Sequence, residues 1–320
     1  MIKMKLRLKV LLLLAINISF LTSARGGLNY TEIFNQINGK DTSQIDSIPF
    51  QDYPLLNFHS YFILLGQNLK QGFTKPFHLN KKDWGNLGKY AAVTFALSFT
   101  DEPIQQGALR LKNRNTGLNN ISKGLSGFGG IYEVFTVAGI GAYGLISKNN
   151  RMANTALLAS QAYITSGAIT TVLKFLSGRT RPSYYPAGVE AEPRFLGPFH
   201  KSLNDANGSH ENSSFPSGHS TVAFAVAAVF ASEYKDNPVV PVIAYSAASL
   251  ISISRITENK HWVTDVFSGA VLGYFSGKLV VKNYHRFERF HSNSQKKNFI
   301  SFTLNYSFGH LEPGMVYQFR

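Results

Sequence analysis

Cysteine is absent from the 320 residues of this chain, and acidic residues are scarce. Without cysteine, disulfide bonds, thiolate metal ligands and cysteine nucleophiles are excluded. Only 18 Asp and Glu residues accompany 32 Lys and Arg residues, which gives a formal net charge of +14. This excess of basic residues favours an anionic partner, such as a nucleic acid, an acidic lipid headgroup or a phosphate ester.

Long uncharged segments are also scarce. A helix needs roughly 18 or more apolar residues to cross a bilayer. Only the segment from Met152 to Leu173 clearly exceeds that length without a charge, and Glu133 interrupts the apolar segment before it. The sequence therefore favours membrane-spanning helices only slightly. A periplasmic helical domain attached to the membrane surface is the alternative.

The first 24 residues have the pattern of a secretory signal. Basic residues come first, and they are followed by an apolar run at Val10–Leu21 and by small residues at Thr22–Ala24. The apolar run is short for a membrane span, although an uncleaved anchor is an alternative. Export argues against a nucleic-acid partner. We therefore expect a periplasm-facing protein, associated with or embedded in the inner membrane, whose basic charge serves phosphates or a membrane surface.

The rest of the chain divides into three regions. Residues 25–87 have no strong periodicity, and their role is not indicated. Residues 88–285 form the expected helical domain, in which apolar segments alternate with short polar links. Six helices are predicted there, at about 88–100, 128–147, 152–177, 219–234, 239–254 and 262–281. Residues 286–320 are a basic tail, in which the alternating segment from Ile300 to Phe308, a turn and the segment 315–319 predict a β-hairpin docked on the helical domain.

One link within the helical domain is unusually long. It runs from Pro182 to Phe215, is rich in polar residues, Pro and Gly, and contains no convincing element. Loops of this length inside a compact domain are usually functional or disordered. We expect this loop to shape the entrance to a site.

Chemistry-bearing residues are concentrated in the segment "SRITENKHWVTD" at 254–265. If the following helix begins near Trp262, His261 and Asp265 lie four residues apart and share one face. The carboxylate can then accept one imidazole N–H and leave the other nitrogen free for chemistry. Arg255, one loop earlier, can bind an anion in front of the imidazole. A solvated turn with an incidental ion pair is the alternative for this segment alone.

Two further segments carry residues of the same kind. "KFLSGRTRP" ends the third predicted helix and contains Lys174 and Arg181. "FPSGHS" opens the fourth predicted helix, where Ser217 is a good N-cap and Gly218 exposes backbone N–H groups at the positive end of the helix dipole, next to His219. Each segment alone is also explained as a basic helix end or a capped helix start.

Together the segments form the series K-x6-R-P, P-S-G-H and S-R-x5-H-x3-D. This series resembles the three-part signature of the type 2 phosphatidic acid phosphatase and vanadium-haloperoxidase superfamily, over about residues 88 to 281. The resemblance implies an all-α fold with a six-helix catalytic bundle of that kind. It also implies that His261 forms a phosphohistidine intermediate.

The residues suit the hydrolysis of a phosphate ester without a metal. His261, oriented by Asp265, is the expected nucleophile, and His219 is the expected acid for the leaving group and base for water. Positive charge and N–H groups for the phosphate oxygens come from five residues, Lys174, Arg181, Ser217, Gly218 and Arg255. Arg179 occupies an unspecified position of the signature, and we expect it to be a gate residue of minor importance. No His cluster has the spacing of a metal site.

Three functions are compatible with this sequence. The first is a phosphatase without a cofactor, which acts on a lipid phosphate or diphosphate at the membrane surface, such as phosphatidic acid or undecaprenyl diphosphate. The second is a haloperoxidase that uses vanadate as its cofactor, whereas vanadate is only an inhibitor of the first. The third is a non-catalytic binding protein of the cell envelope, which the intact histidines and Asp265 argue against. The sequence does not identify the lipid or an oligomeric state.

Overall fold

Nine α-helices lie in the part of the chain described by this computed structural model, which covers residues 54–185, 189–200, 212–295, 299–307 and 310–318. The helices are α1 (Phe58–Thr74), α2 (Lys81–Ser98), α3 (Asp101–Arg114), α4 (Thr116–Phe128), α5 (Ile131–Ile146), α6 (Asn150–Ser177), α7 (Gly218–Glu233), α8 (Val239–Thr257) and α9 (Val263–Gln295). Two 3-10 helices span Lys75–Phe77 and Pro182–Tyr184. The predicted signal at residues 1–24 lies outside the described residues.

The mostly helical architecture agrees with the prediction, but the count of six helices is not confirmed. Each predicted segment overlaps one helix, namely α2, α5, α6, α7, α8 or α9. Helices α1, α3 and α4 were not predicted: α1 and α3 bury mainly polar side chains, and the three glycines of α4 disfavour a helix although its apolar residues have helical spacing. Helix α1, for example, buries the polar side chains of Gln67 and Asn68.

Helix α7 lies at the centre of the packing. It contacts α6 and α8, and α6 also contacts α5. The buried side of α7 is rich in alanine, and three glycines of α9 lie against its backbone. A Cβ atom on Gly273 would lie 2.1 Å from the Thr221 carbonyl oxygen, and one on Gly277 would lie 2.4 Å from that of Ala225. Small residues at these positions therefore allow α7 and α9 to approach closely.

A buried polar network joins α1 to the bundle. Asn68 donates to the Gln161 side-chain oxygen of α6 over 2.7 Å and accepts from the Asn283 amide of α9, also over 2.7 Å. Buried side-chain amides of this kind are stable only when they are paired with one another. The network explains why a helix with little apolar periodicity belongs to the bundle.

Two of the described helices are long and apolar enough to cross a membrane, α6 and α8. Helix α4 from Asn119 and α5 pass the same test together, although they are bent by 54° at their junction, so they would make a third span. Many large apolar side chains on these helices are exposed, among them Phe135, Ile146, Val242, Ile243 and Ile253. Such surfaces are those of a membrane protein. A larger number of spans is not confirmed for the described helices.

Two strands follow the helices, β1 (Phe299–Ser307) and β2 (His310–Gln318). They pair antiparallel, with Ile300 opposite Tyr317 and Ser307 opposite His310. The second strand was predicted at 315–319 after a turn at 309–314, but β2 begins at His310, so this part of the prediction was wrong: residues 310–314 pair with β1 despite Pro313 and Gly314. Residues 308 and 309 lie outside the described residues, and the docking of the hairpin on the helical domain remains a prediction.

Candidate active site

Four helix ends bring the predicted residues together. Lys174 lies in the last turn of α6, Arg255 in the last turn of α8, His219 in the first turn of α7, and His261 just before α9. The Ser217 N–H donates to the Asp265 carbonyl oxygen over 3.0 Å, which ties the starts of α7 and α9 together. The predicted cations and histidines therefore line one pocket at one end of the bundle.

His261 and Asp265 lie side by side and are both buried, as their spacing predicted. His261 Nδ1 lies 3.5 Å from Asp265 Oδ2, which is ion-pair distance but longer than an ordinary N–H···O hydrogen bond. No described group makes a hydrogen bond with this nitrogen. Because Nδ1 is on the Asp265 side of the ring, Nε2 is the nitrogen left for chemistry.

Asp265 accepts hydrogen bonds from three donors, and two of them, Ser214 and Arg179, lie outside the segment 254–265. Its Oδ2 atom accepts from the Ser214 hydroxyl over 2.5 Å and from the Trp262 N–H over 3.0 Å, and Oδ1 accepts from Arg179 Nη1 over 2.6 Å. Burial raises the pKa of Asp265, and the Arg179 guanidinium, the Ser214 hydroxyl and the Trp262 N–H offset part of that rise. The carboxylate position is therefore fixed from several elements.

Arg179 has a different place from the one we expected. Its side chain is only 4% exposed, and it bridges two fully buried carboxylates, Asp265 at 2.6 Å and Asp101 at 2.7 Å. Asp101 also accepts from the Thr264 N–H and hydroxyl, over 2.9 and 2.6 Å. The expectation of a gate residue was wrong, because Arg179 points into the protein and neutralises these two carboxylates.

Lys174 and Arg181 converge on Ser213, which the sequence did not single out. The Lys174 ammonium donates to the Ser213 carbonyl oxygen, and Arg181 donates to the same carbonyl over 3.3 Å and to the Ser213 hydroxyl over 3.0 Å. Arg255 approaches from the other side, where it donates to the Ser126 hydroxyl and to Glu258 over 3.2 Å. Three cations therefore surround the two histidines, with donors suited to phosphate oxygens.

The start of α7 differs in one detail from the prediction. Ser217 precedes the helix, but its side chain makes no capping hydrogen bond and instead accepts from the Ser220 hydroxyl over 3.1 Å. The first backbone N–H groups of a helix have no intrahelical partner. Those at Gly218 and His219 can therefore bind an anion, which the helix dipole favours.

Gly129 and Gly130, between α4 and α5, lie against His219. A Cβ atom on Gly129 would lie 2.9 Å from His219 Cδ2, and one on Gly130 would lie 3.6 Å from His219 Nε2. The bend between α4 and α5 therefore places bare backbone beside the imidazole. The "GFGG" sequence at 127–130 is a signal for this contact that sequence reasoning did not use.

Burial and positive charge act on both histidines. Burial and the charges of Arg255, Lys174 and Arg181 lower the pKa of His219 to about 3. Burial and the charges of Arg181, Lys174 and Arg255 also lower the pKa of His261 well below its ordinary value. In the free pocket both imidazoles are therefore neutral near pH 7, and a bound anion would raise both pKa values.

The site defines the class of the protein as a helical bundle with an anion pocket built around two histidines. Residues 155–289, which include every one of the predicted site residues, match the model of the PAP2 superfamily. This part of the chain is therefore similar to that superfamily. The resemblance noted from the three segments is confirmed.

Relatives with described activities cover different parts of the chain. Lipid A 1-phosphatase of Porphyromonas gingivalis is 46% identical over 67 residues, which are 21% of this chain and 15% of that protein. Phosphatidylglycerophosphatase B of Bacillus subtilis is 28% identical over 212 residues, which are 62% of this chain and 91% of that protein. The crystal structure of a transmembrane PAP2-type phosphatidylglycerolphosphate phosphatase from Bacillus subtilis matches 72% of this chain and 98% of its own, with 23% identity and a TM-score of 0.43.

Proposed function

We propose that this protein is a phosphatase that hydrolyses a lipid phosphate or diphosphate through a phosphohistidine at His261. The observation that carries this proposal is the convergence of three cations on two histidines, the buried His261 and the half-buried His219. Such a pocket stabilises negative charge on the phosphate oxygens and places a nucleophile and an acid beside the same phosphorus.

The reaction has two steps. In the first, the substrate binds as a phosphate monoanion and passes its proton to neutral His219. His261 Nε2 then forms a bond to phosphorus while the bond to the leaving oxygen breaks, and His219 gives the proton to that oxygen. In the second, neutral His219 takes a proton from water, the water oxygen bonds to phosphorus, and the N–P bond breaks. Inorganic phosphate takes this proton from His219 and leaves as a monoanion, and both imidazoles return to their neutral starting states.

The surrounding residues have separate roles in this reaction. Lys174, Arg181 and Arg255 bind the phosphate oxygens, together with the backbone N–H groups at Gly218 and the side chain of Ser217. Asp265 orients His261 and stabilises its positive charge. The proposed steps use no metal, because Lys174, Arg181 and Arg255 supply the positive charge at the phosphate oxygens.

A lipid substrate is supported by the relatives and by the membrane helices. The names of the two relatives describe phosphatases of lipid A and of phosphatidylglycerol phosphate. Helices α6 and α8, which could cross a membrane, carry Lys174 and Arg255 in their last turns. The pocket would then lie at the level of the lipid headgroups, and the predicted export signal places it on the periplasmic side.

The test is phosphate release by the purified protein from a panel of lipid phosphates, diphosphates and a soluble aryl phosphate. We expect release without added metal or vanadate, no effect of chelators, competitive inhibition by vanadate, and loss of turnover in His261→Ala. Replacement of the exposed His78 by alanine is the matched control. Full activity in His261→Ala would refute the nucleophile, and halide oxidation that needs vanadate and peroxide would support a haloperoxidase instead.

A further inference from the structure

An apolar groove lies next to the catalytic pocket. It has a volume of about 330 Å³ and is lined by helices α5, α7 and α8 together with Phe128 at the end of α4. This volume is at the lower end of the range for small-molecule sites. Among its lining residues, fourteen of fifteen are uncharged, and the exception is Glu133.

The groove and His219 meet at Gly129. Ile251 lines the groove, and a Cβ atom on Gly129 would lie 2.4 Å from Ile251 Cγ2 and 2.9 Å from His219 Cδ2. Phe128, the residue before Gly129, lines the groove as well. One end of the groove is therefore separated from the imidazole by a residue without a side chain.

The chemistry of the proposed function determines what would occupy this side of the pocket. An in-line reaction places the leaving group opposite the nucleophile, so the leaving oxygen lies beside His219 and away from His261. The rest of the leaving group continues from that oxygen. In a lipid phosphate, this continuation is the hydrocarbon part of the molecule.

Glu133 is a second, independent indication of a ligand. It lies in the first turn of α5, is 7% exposed, and its Oε2 atom has no hydrogen-bond partner among the described residues. A buried carboxyl group without a partner is costly in an apolar setting. A ligand with a hydroxyl or ester group near the start of its chain would give this oxygen a partner. A hydroxyl would donate to the Glu133 carboxylate, and an ester oxygen would accept from the protonated carboxyl group.

We propose that the groove binds the hydrocarbon chain of the leaving lipid, and that Glu133 forms a hydrogen bond with a polar group of that lipid close to the phosphate. This inference rests on the proposed function, since the direction of the leaving group follows from the roles of His219 and His261. It assigns the specificity of the protein to α5, α7 and α8, which lie beside the pocket and contribute Gly218, His219 and Arg255 to it.

The chain-length dependence of soluble alkyl phosphates tests the groove. Below their aggregation limit, kcat/KM should rise about twofold to fourfold for each added methylene until the groove is full. Ala247→Phe, which places a ring in the groove from an exposed position, should end this rise at a shorter chain. Ser246→Phe is the matched control, because Ser246 is exposed on the same helix and does not line the groove, and it should keep the full rise.

Glu133 is tested with two substrates of equal chain length. The two substrates are a lysophosphatidic acid, which has a hydroxyl and an ester, and a plain alkyl phosphate. Glu133→Leu should lower the ratio of their kcat/KM values by about tenfold, and this loss should lie in KM rather than in kcat. Glu133→Gln should keep most of the preference, because an amide still forms hydrogen bonds. An unchanged preference in Glu133→Leu would refute this part of the proposal.

Binding of alkylphosphonates, measured by calorimetry, distinguishes a failure of the groove proposal from a failure of the proposed phosphatase function. These compounds are not hydrolysed, so their affinity should follow chain length even if the protein turns over no phosphate ester. Hydrolysis of an aryl phosphate combined with no chain-length effect on rate or affinity would refute the groove and leave the phosphatase intact. An unaltered chain-length rise in Ala247→Phe, together with loss of copurified lipid, would show that the groove holds a resident membrane lipid instead.

Discussion

At the scale of single residues, the site depends on charges that neutralise one another in the interior. Asp265 orients the proposed nucleophile, Arg179 holds Asp265, and Asp101 holds Arg179. Removing one member of such a buried group leaves an uncompensated charge, which typically costs about 3–5 kcal/mol. Arg179 and Asp101 are therefore positioning residues, although neither reaches the substrate.

Arg179→Lys should lower kcat by roughly 10- to 100-fold and leave KM nearly unchanged, because the lysine cannot contact Asp101 and Asp265 with a planar fork. Arg179→Met should lower kcat further, so that lysine rescues part of the loss. Steady-state kinetics on a soluble aryl phosphate measure both effects. Arg194→Lys is the control, since Arg194 forms an exposed pair with Glu192 and should tolerate the change. A rise in KM without loss of kcat would contradict a positioning role.

The lowered pKa of His219 predicts how activity depends on pH. Because this pKa is about 3 in the free pocket, His219 is a neutral imidazole at neutral pH, and the proton for the leaving oxygen arrives with the substrate as a phosphate monoanion. The value of kcat/KM should therefore fall as pH rises through the second pKa of the phosphate, about 6 for a phosphomonoester. The midpoint should move with the pKa of the substrate across a series of aryl phosphates. A midpoint that stays fixed across the series would belong to the protein.

At the scale of secondary-structure elements, the break between α4 and α5 is a functional contact. The helices bend by 54°, and Gly129 lies against both Ile251 and His219. A methyl group at Gly129 would lie 2.4 Å from Ile251 Cγ2, closer than atoms can pack, so the imidazole or the isoleucine must move. The position of His219, the proposed acid, thus depends on the turn between α4 and α5, which lies outside the three signature segments in the sequence.

Gly129→Ala should therefore impair the protonation of the leaving group. We expect a loss of roughly tenfold or more in kcat on alkyl phosphates, whose leaving oxygens need a proton, and a smaller loss on p-nitrophenyl phosphate. Gly124→Ala in α4 is the matched control, because no atom lies within 4 Å of its added Cβ, and the change favours the helix. Equal losses on both substrates would indicate a general distortion of the pocket.

Some of this arrangement could be predicted from sequence, and some could not. The four-residue spacing of His261 and Asp265, the bounds of α6 to α8 within about three residues and the start of α9 follow from local periodicity and motif spacing. The end of α9 was predicted at 281, but the helix continues to Gln295, because its last turns are rich in polar residues. Asp101, Ser126 and Ser214 escaped prediction because their contacts join residues that are far apart in the chain. Helices α1 and α3 escaped because their buried faces are polar, so hydrophobic periodicity does not reveal them.

At the scale of the whole molecule, the site constrains how the chain crosses a membrane. Helices α6 and α8 both end at the pocket, so they run in the same direction, and the chain must return between them through α7. Helix α7 has 16 residues and is about 24 Å long, shorter than the roughly 30 Å of a hydrocarbon core. If α6 and α8 span, α7 must cross as well, protected from lipid by the neighbours that bury it.

Reporter fusions test this topology. A reporter fused after Pro182 follows the pocket end of α6 and should be active in the periplasm. A reporter fused near Tyr284, about 22 residues into the 33-residue α9, should lie on the opposite side and give a cytoplasmic signal, since that length of helix spans about 33 Å. A periplasmic signal at Tyr284, with protein released by high salt, would mean a peripheral domain bound through its basic surface. A cytoplasmic signal after Pro182 would overturn the export of the pocket, and with it the choice of periplasmic lipid phosphates as substrates.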